Sequence, residues 1–191
     1  LNRVAANFGD SIIAALTVSS RIVAIAYMIM IGWGQGFQPI CAMNYGAKQY
    51  DRVRSAFKWT VVIGTGFLVI STVVLYIFSE HLITLMSKDS EVISIGVQIL
   101  RMQCITIPLL AYYAISSMLM QNIGKYFWSL IISISRQGIF YIPLLYLLTN
   151  LYGKFGIYLL QPVSDVLSFA LAVFIVCKMK FTCYKLQKDN I

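Results

Sequence analysis

Four long stretches of this chain carry no charge, Ile22 to Ala47, Trp59 to Ser79, Met102 to Gly124 and Gln137 to Gly153, and a fifth, Phe155 to Cys177, is broken only by Asp165. A helix of about 20 apolar residues crosses a ~30 Å hydrocarbon layer, and each stretch reaches or approaches that length. Inside lipid every peptide group must find its hydrogen bond within the protein, and helices do this for runs of this size. Buried helices of a soluble core would be shorter and would keep polar faces. A chain that is 59% hydrophobic and 12% charged, with a mean hydropathy of +0.78, is no ordinary soluble domain. We therefore expect an all-α, polytopic integral membrane bundle with spans at about 10–43, 57–79, 92–121, 126–149 and 154–177, followed by a basic tail over 179–191. The chain meets its first apolar run without a basic leader and cleavage site, and a stub precedes Asp10, so we expect further spans upstream of Leu1.

The net charge of +8 is distributed by side. Lys48, Arg52, Arg54 and Lys58 follow the first span, Lys125 the third, and Lys178, Lys180, Lys185 and Lys188 the fifth; all fall on one face of the membrane. The other face receives Asp10, Glu80, His81, Lys88, Asp89, Glu91 and Lys154. Cytoplasmic loops carry the lysine and arginine excess, which places the C-terminus in the cytoplasm. The basic residues then serve topology and attraction to anionic lipid headgroups, at about 1 kcal/mol each, and no nucleic acid is needed to explain them. Glu80 to Glu91 mixes apolar and polar residues as a short helix at the outer interface does, with His81 on its surface. Cys41, Cys104, Cys177 and Cys183 fit no metal or redox spacing and read as reduced packing residues, so no metal or cofactor is expected.

Ionisable groups inside a span cost at least about 2.5–3.5 kcal/mol at the bilayer centre. Arg136 lies 11 residues beyond Lys125 and Asp165 lies 12 residues before Cys177, depths of about 16 and 18 Å from the cytoplasmic boundary at 1.5 Å per residue. The two are level, on spans joined by a short loop at Asn150 to Lys154 and hence antiparallel neighbours. Two readings stay open: a structural ion pair, or a proton- or cation-sensitive switch in a transport pathway. Gln161, Asp165 and Ser168 share a helical face, Ser133 and Gln137 flank Arg136, and Pro143 and Pro162 promise bends at this level. In the first span Met28, Gly32, Gln35 and Gln38 form one stripe, and Pro39 removes a backbone donor. Gly32, Gly34 and Gly36 permit close helix approach, and the two amides should face the bundle or a water-filled cleft rather than acyl chains. Arg21 and Arg101 sit nearer the outer boundary, where long side chains snorkel.

The stretch "GQGFQPICAMNYGAKQYDRVRSAF", residues 34–57, resembles the loop after the eighth helix in the multidrug and toxic compound extrusion (MATE) family. "ISRQGIFYIPLLYLL" and "QPVSDVLSFAL" are similar to that family's last two helices, in the same order and at the expected distance. The resemblance implies a twelve-helix antiporter of two six-helix lobes in the plasma membrane, not an enzyme, exporting cationic amphipathic drugs in exchange for H⁺ or Na⁺. Residues 1–178 would be the C-terminal lobe, from the tail of helix seven through helix twelve, with the N-terminal lobe as its missing partner. One departure stands out: some members place a cation-binding carboxylate on the tenth helix, whereas Met102 to Gly124 holds no acidic residue. Arg21, Arg101 and Arg136 keep open an alternative from the same superfamily, a flippase or exporter of lipid-linked oligosaccharides or polysaccharides.

The expected substrate and ion pathway comprises Gln35, Gln38, Arg136, Gln137, Gln161 and Asp165, together with a drug-contact set of Tyr112, Tyr113, Met118, Phe140 and Tyr141. Aromatic faces and flexible thioethers suit varied organic cations.

Overall fold

A computed structural model describes residues 10–188, with side chains from residue 11 to residue 178. The stub before Asp10 and the last three residues of the expected basic tail lie outside the described residues. All of the regular structure described is helical. Helix α1 (Asp10–Gly46) is followed after a short turn by α2 (Tyr50–Ile77) and the short α3 (Ser79–Met86). Then come α4 (Ser90–Cys104), α5 (Leu109–Asn122), α6 (Tyr126–Ile134), a π turn (Ser135–Ile139), α7 (Tyr141–Tyr152) and α8 (Lys154–Lys188).

The segment Glu80 to Glu91, expected as one short interfacial helix, is helical only as far as Met86; Ser87 to Asp89 leave the helix, and the Asp89 carboxylate accepts the Glu91 N–H at 2.9 Å and caps α4. The stretch that resembles an inter-helix loop is mostly helix: only Ala47 to Gln49 interrupts it, with Lys48 at φ +57°. The basic residues Arg52, Arg54 and Lys58 thus belong to the first turns of α2, and the expected tail begins as an unbroken continuation of α8 as far as Lys188.

Four helical stretches are long and apolar enough to cross a membrane, and α4 and α5, bent by 58° from one another, are so only when taken together, as a broken span or a re-entrant loop. The third expected span, 92–121, is therefore not one continuous helix. The cause is Pro108, which has no N–H to donate to the Cys104 carbonyl, the last of α4, and whose ring would clash with it. The same arithmetic applies to Pro143, four residues after Ile139, where the π turn ends. Pro39 and Pro162, by contrast, sit inside the continuous α1 and α8.

Helix α5 occupies the centre, packed on α1, α2, α6 and α8. Leu110, Ala111, Tyr113, Ala114, Ile115, Ser116, Ser117 and Met120 are buried around its whole girth, as a helix surrounded by others requires. Methionines fill the spaces that glycines leave: a Cβ added at Gly64 would stand 2.8 Å from Met30 Sδ, and one at Gly34 would stand 2.6 Å from Met118 Sδ. The outer surface is apolar, with Ile25, Ile29, Val62, Ile70 and Val73 exposed, which suits lipid.

Candidate functional site

Asp165 on α8 is 3% exposed and Arg136 on the π turn 11%, so a charge on either must be answered inside the protein. Arg136 Nε donates to Asp165 Oδ1 at 2.7 Å. Gln161, one turn earlier on α8, donates its Nε2 to the same oxygen at 3.0 Å. The other oxygen, Oδ2, accepts from the Thr106 hydroxyl at 3.1 Å, and Thr106 lies in the break between α4 and α5. The carboxylate is held by three donors from three parts of the chain, one of them charged, which is the arrangement a buried ion needs to offset lost hydration.

The π turn shapes the arginine side of the site. Phe140 N–H passes over the Arg136 carbonyl, its acceptor in a regular helix, and donates to Ser135 O at 3.0 Å. Ser164 on α8 donates its hydroxyl to the Arg136 carbonyl at 2.6 Å. Arg136 is thereby tied to α8 through both its side chain and its backbone. On its other side the guanidinium lies 5.2 Å from the centre of the Tyr27 ring on α1, a cation–π contact. The phenols of Tyr27, Tyr113 and Tyr141 stand within electrostatic reach of both charges.

The level depth of Arg136 and Asp165 in the sequence does correspond to a bonded pair, and Gln161 joins it. The other expected site residues do not bond to the pair, although Tyr113 and Tyr141 stand near it. Gln137 is exposed on the lobe surface, and Phe140 and Tyr141 are half-buried. Tyr113 is buried and donates to Ser133 O at 3.0 Å, beside a set of hydroxyls in which Ser117 Oγ meets Ser129 Oγ at 3.0 Å and Ser133 Oγ at 2.7 Å. Tyr112 stands edge-on between Phe57 and Phe169, with ring centres 5.8 and 5.4 Å away. Met118 packs at Gly34.

Gln35 is exposed and Gln38 half-buried. The inner face of α1 is taken by Met30, Gly34, Phe37 and Cys41, spaced four, three and four residues apart, which turns Gln35 outward. Of the two surroundings expected for Gln35, the bundle of this lobe is therefore ruled out. Gly34 does admit a close neighbour, whereas Gly32 and Gly36 face open space and mediate no helix approach among the described residues.

Thr106, Tyr27 and Ser164 were not singled out from the sequence. Thr-Ile-Pro at 106–108, a hydroxyl just before a helix-breaking proline inside an apolar run, was the signal available for the first. Nothing local distinguishes the other two.

The MatE family model matches residues 1–147. The chain is 26% identical over 181 residues to the multidrug export protein MepA of Staphylococcus haemolyticus, an alignment covering 94% of this chain and 39% of that protein. In fold it is similar to the Vibrio cholerae MATE transporter VcmN in its bent form, with a TM-score of 0.87 at 24% identity over 95% of this chain and 42% of the other. It is also similar to the MATE multidrug transporter DinF-BH, with a TM-score of 0.69 at 35% identity, covering 83% of this chain and 35% of that one. The chain belongs to the MatE family, whose members are transporters rather than enzymes. It spans about two-fifths of the length of the Staphylococcus haemolyticus relative.

Proposed function

We propose that this chain acts as the C-terminal lobe of a two-lobe, twelve-helix secondary transporter that exports cationic, amphipathic compounds across the plasma membrane in exchange for H⁺ or Na⁺. The observation that carries the reading is the Arg136–Asp165 pair, level in two adjoining apolar spans and seated on irregular backbone. Charge at that depth is costly and characteristic of ion and substrate pathways. The names of the relatives support export of drugs, and the fraction of their length that the chain covers supports a single lobe. On this reading Gln35 and the neighbouring exposed Met28 face a cleft shared with the N-terminal lobe, where an amide and a thioether would meet the substrate. Gln38, Gln137, Phe140 and Tyr141 border it, while Tyr112, Tyr113 and Met118 shape it from behind.

The alternative, a flippase or exporter of lipid-linked oligosaccharides, draws on arginines. Arg136 is neutralised by Asp165, and Arg101 is held by Ser79 Oγ at 3.1 Å and the Tyr76 ring at 5.3 Å. Efflux of a fluorescent organic cation from cells making the full-length protein tests the proposal. It should stop when a protonophore collapses the H⁺ gradient or when external Na⁺ is replaced. Efflux indifferent to both treatments, or absent while a labelled lipid-linked sugar crosses the bilayer, would reject antiport of drugs.

A further inference from the structure

Among the described residues there are two places where an apolar segment long enough to cross a membrane departs from regular helix, the 58° break between α4 and α5 and the π turn before α7. They lie in different crossings, yet a single side chain touches both. Asp165 Oδ2 receives Thr106 from the break, and Asp165 Oδ1 receives Arg136 from the π turn. Thr106 also donates to Gln103 O at 3.2 Å, at the end of α4, so the carboxylate competes with the helix backbone for this hydroxyl.

We propose that Asp165 is a latch that locks the bend of the α4–α5 crossing to the π turn of the α6–α7 crossing, so that the two change shape together when the carboxylate loses its charge. A neutral Asp165 no longer attracts Arg136 as an ion pair, and its protonated oxygen no longer needs the Thr106 hydroxyl, which can return wholly to Gln103 O. The groups that face the carboxylate are Arg136, Gln161 and Thr106 by direct bonds, with Tyr27, Tyr113 and Tyr141 in electrostatic reach. Among them Arg136 is the cation. The two prolines leave each crossing with a carbonyl that no helical N–H can claim, which makes these the points where bending disturbs the fewest backbone bonds. The inference concerns shape alone and holds whatever the protein carries.

Distances between spin labels in the full-length protein in liposomes test it. Labels at Ser94→Cys and Gln121→Cys report the α4–α5 bend, and labels at Tyr126→Cys and Leu151→Cys report the crossing that contains the π turn; all four positions are exposed. Cys177 and Cys183 are first replaced by Ser. Because α5 is about 21 Å long, a change of bend of about 20° swings its far end by roughly 7 Å. Asp165→Asn should shift both distances, Thr106→Val only the first, and Thr106→Ser neither. If Asp165→Asn fails to accumulate in the membrane, the Arg136→Gln/Asp165→Asn double variant takes its place with the same expectation. A neutral residue 165 that leaves the Ser94–Gln121 distance unchanged, or Thr106→Val that moves neither distance, would overturn the latch.

Discussion

Ser164, the residue just before the buried carboxylate, donates its hydroxyl to the backbone carbonyl of Arg136 at 2.6 Å. The ion pair is thus doubled by a backbone bond one residue away. That carbonyl is the one the π turn leaves without its usual i+4 donor. Ser164→Ala should therefore cost about 1–3 kcal/mol, the range for stranding a buried polar group. Thermal unfolding of the purified full-length protein in detergent checks this; an unchanged midpoint would mean that the carbonyl finds another donor.

Removing one partner of the Arg136–Asp165 pair leaves a buried charge unanswered. Asp165→Asn and Arg136→Gln should each destabilise by about 3–5 kcal/mol, and the double variant by less than either. The same unfolding measurement, run as a double-mutant cycle, reads the coupling. Additive losses would show that the two groups do not stabilise one another.

Glycines at two places should respond with opposite signs. A Cβ at Gly156 would run into the carbonyl of Leu148, where α7 and α8 meet after the Gly153 turn, and a backbone atom cannot rotate away. Gly156→Ala should cost about 1–3 kcal/mol as an overpacked contact. Gly36, mid-helix with open space around it, should accept alanine with a gain of about 0.5–1 kcal/mol from lower chain entropy. A stabilised Gly156→Ala would contradict the close approach of the two helices.

Orientation is decided by labelling with a membrane-impermeant thiol reagent. Cysteine at Arg54, on the basic side, should react only after cells are permeabilised, and cysteine at Lys88 should react in intact cells. The reverse pattern would turn the lobe over.

Much of the site was legible because a helix converts residue count into depth, so that Arg136 and Asp165 could be matched without knowing how their helices pack. Thr106 was not legible for the complementary reason. Its partner lies 59 residues away in another crossing, and its height follows from a break whose angle no residue count supplies. The apolar run from Met102 to Gly124 looked like one span because hydropathy is blind to a proline's missing donor. Gln35 shows a different limit. Polarity says that an amide avoids acyl chains, but which side of α1 it takes follows from the buried register of Met30, Gly34, Phe37 and Cys41, and that register was masked by apolar residues all round the helix.

Gln35 also yields the substrate-side expectation. Gln35→Ala should narrow or shift the range of organic cations exported by the full-length protein while leaving its amount in the membrane unchanged, since the side chain is exposed on this lobe. Tyr112→Leu should instead lower the amount, because it removes two edge-on ring contacts worth about 0.5–1.5 kcal/mol each. Resistance profiles and membrane blots of both variants separate the cases. An unaltered profile for Gln35→Ala would move the contact surface off this face of α1.

Helix α1 runs for 37 residues, about 55 Å at 1.5 Å per residue, against a hydrocarbon layer of ~30 Å. It is held along its length: Ile12, Ala15 and Ser19 towards one end, Met30 near the middle and Phe37 and Cys41 towards the other are all buried. Tyr27, near the middle of this helix, lies against the guanidinium of Arg136, so the longest helix of the lobe meets the ion pair at mid-length while its end leads into the basic turn at Ala47 to Gln49.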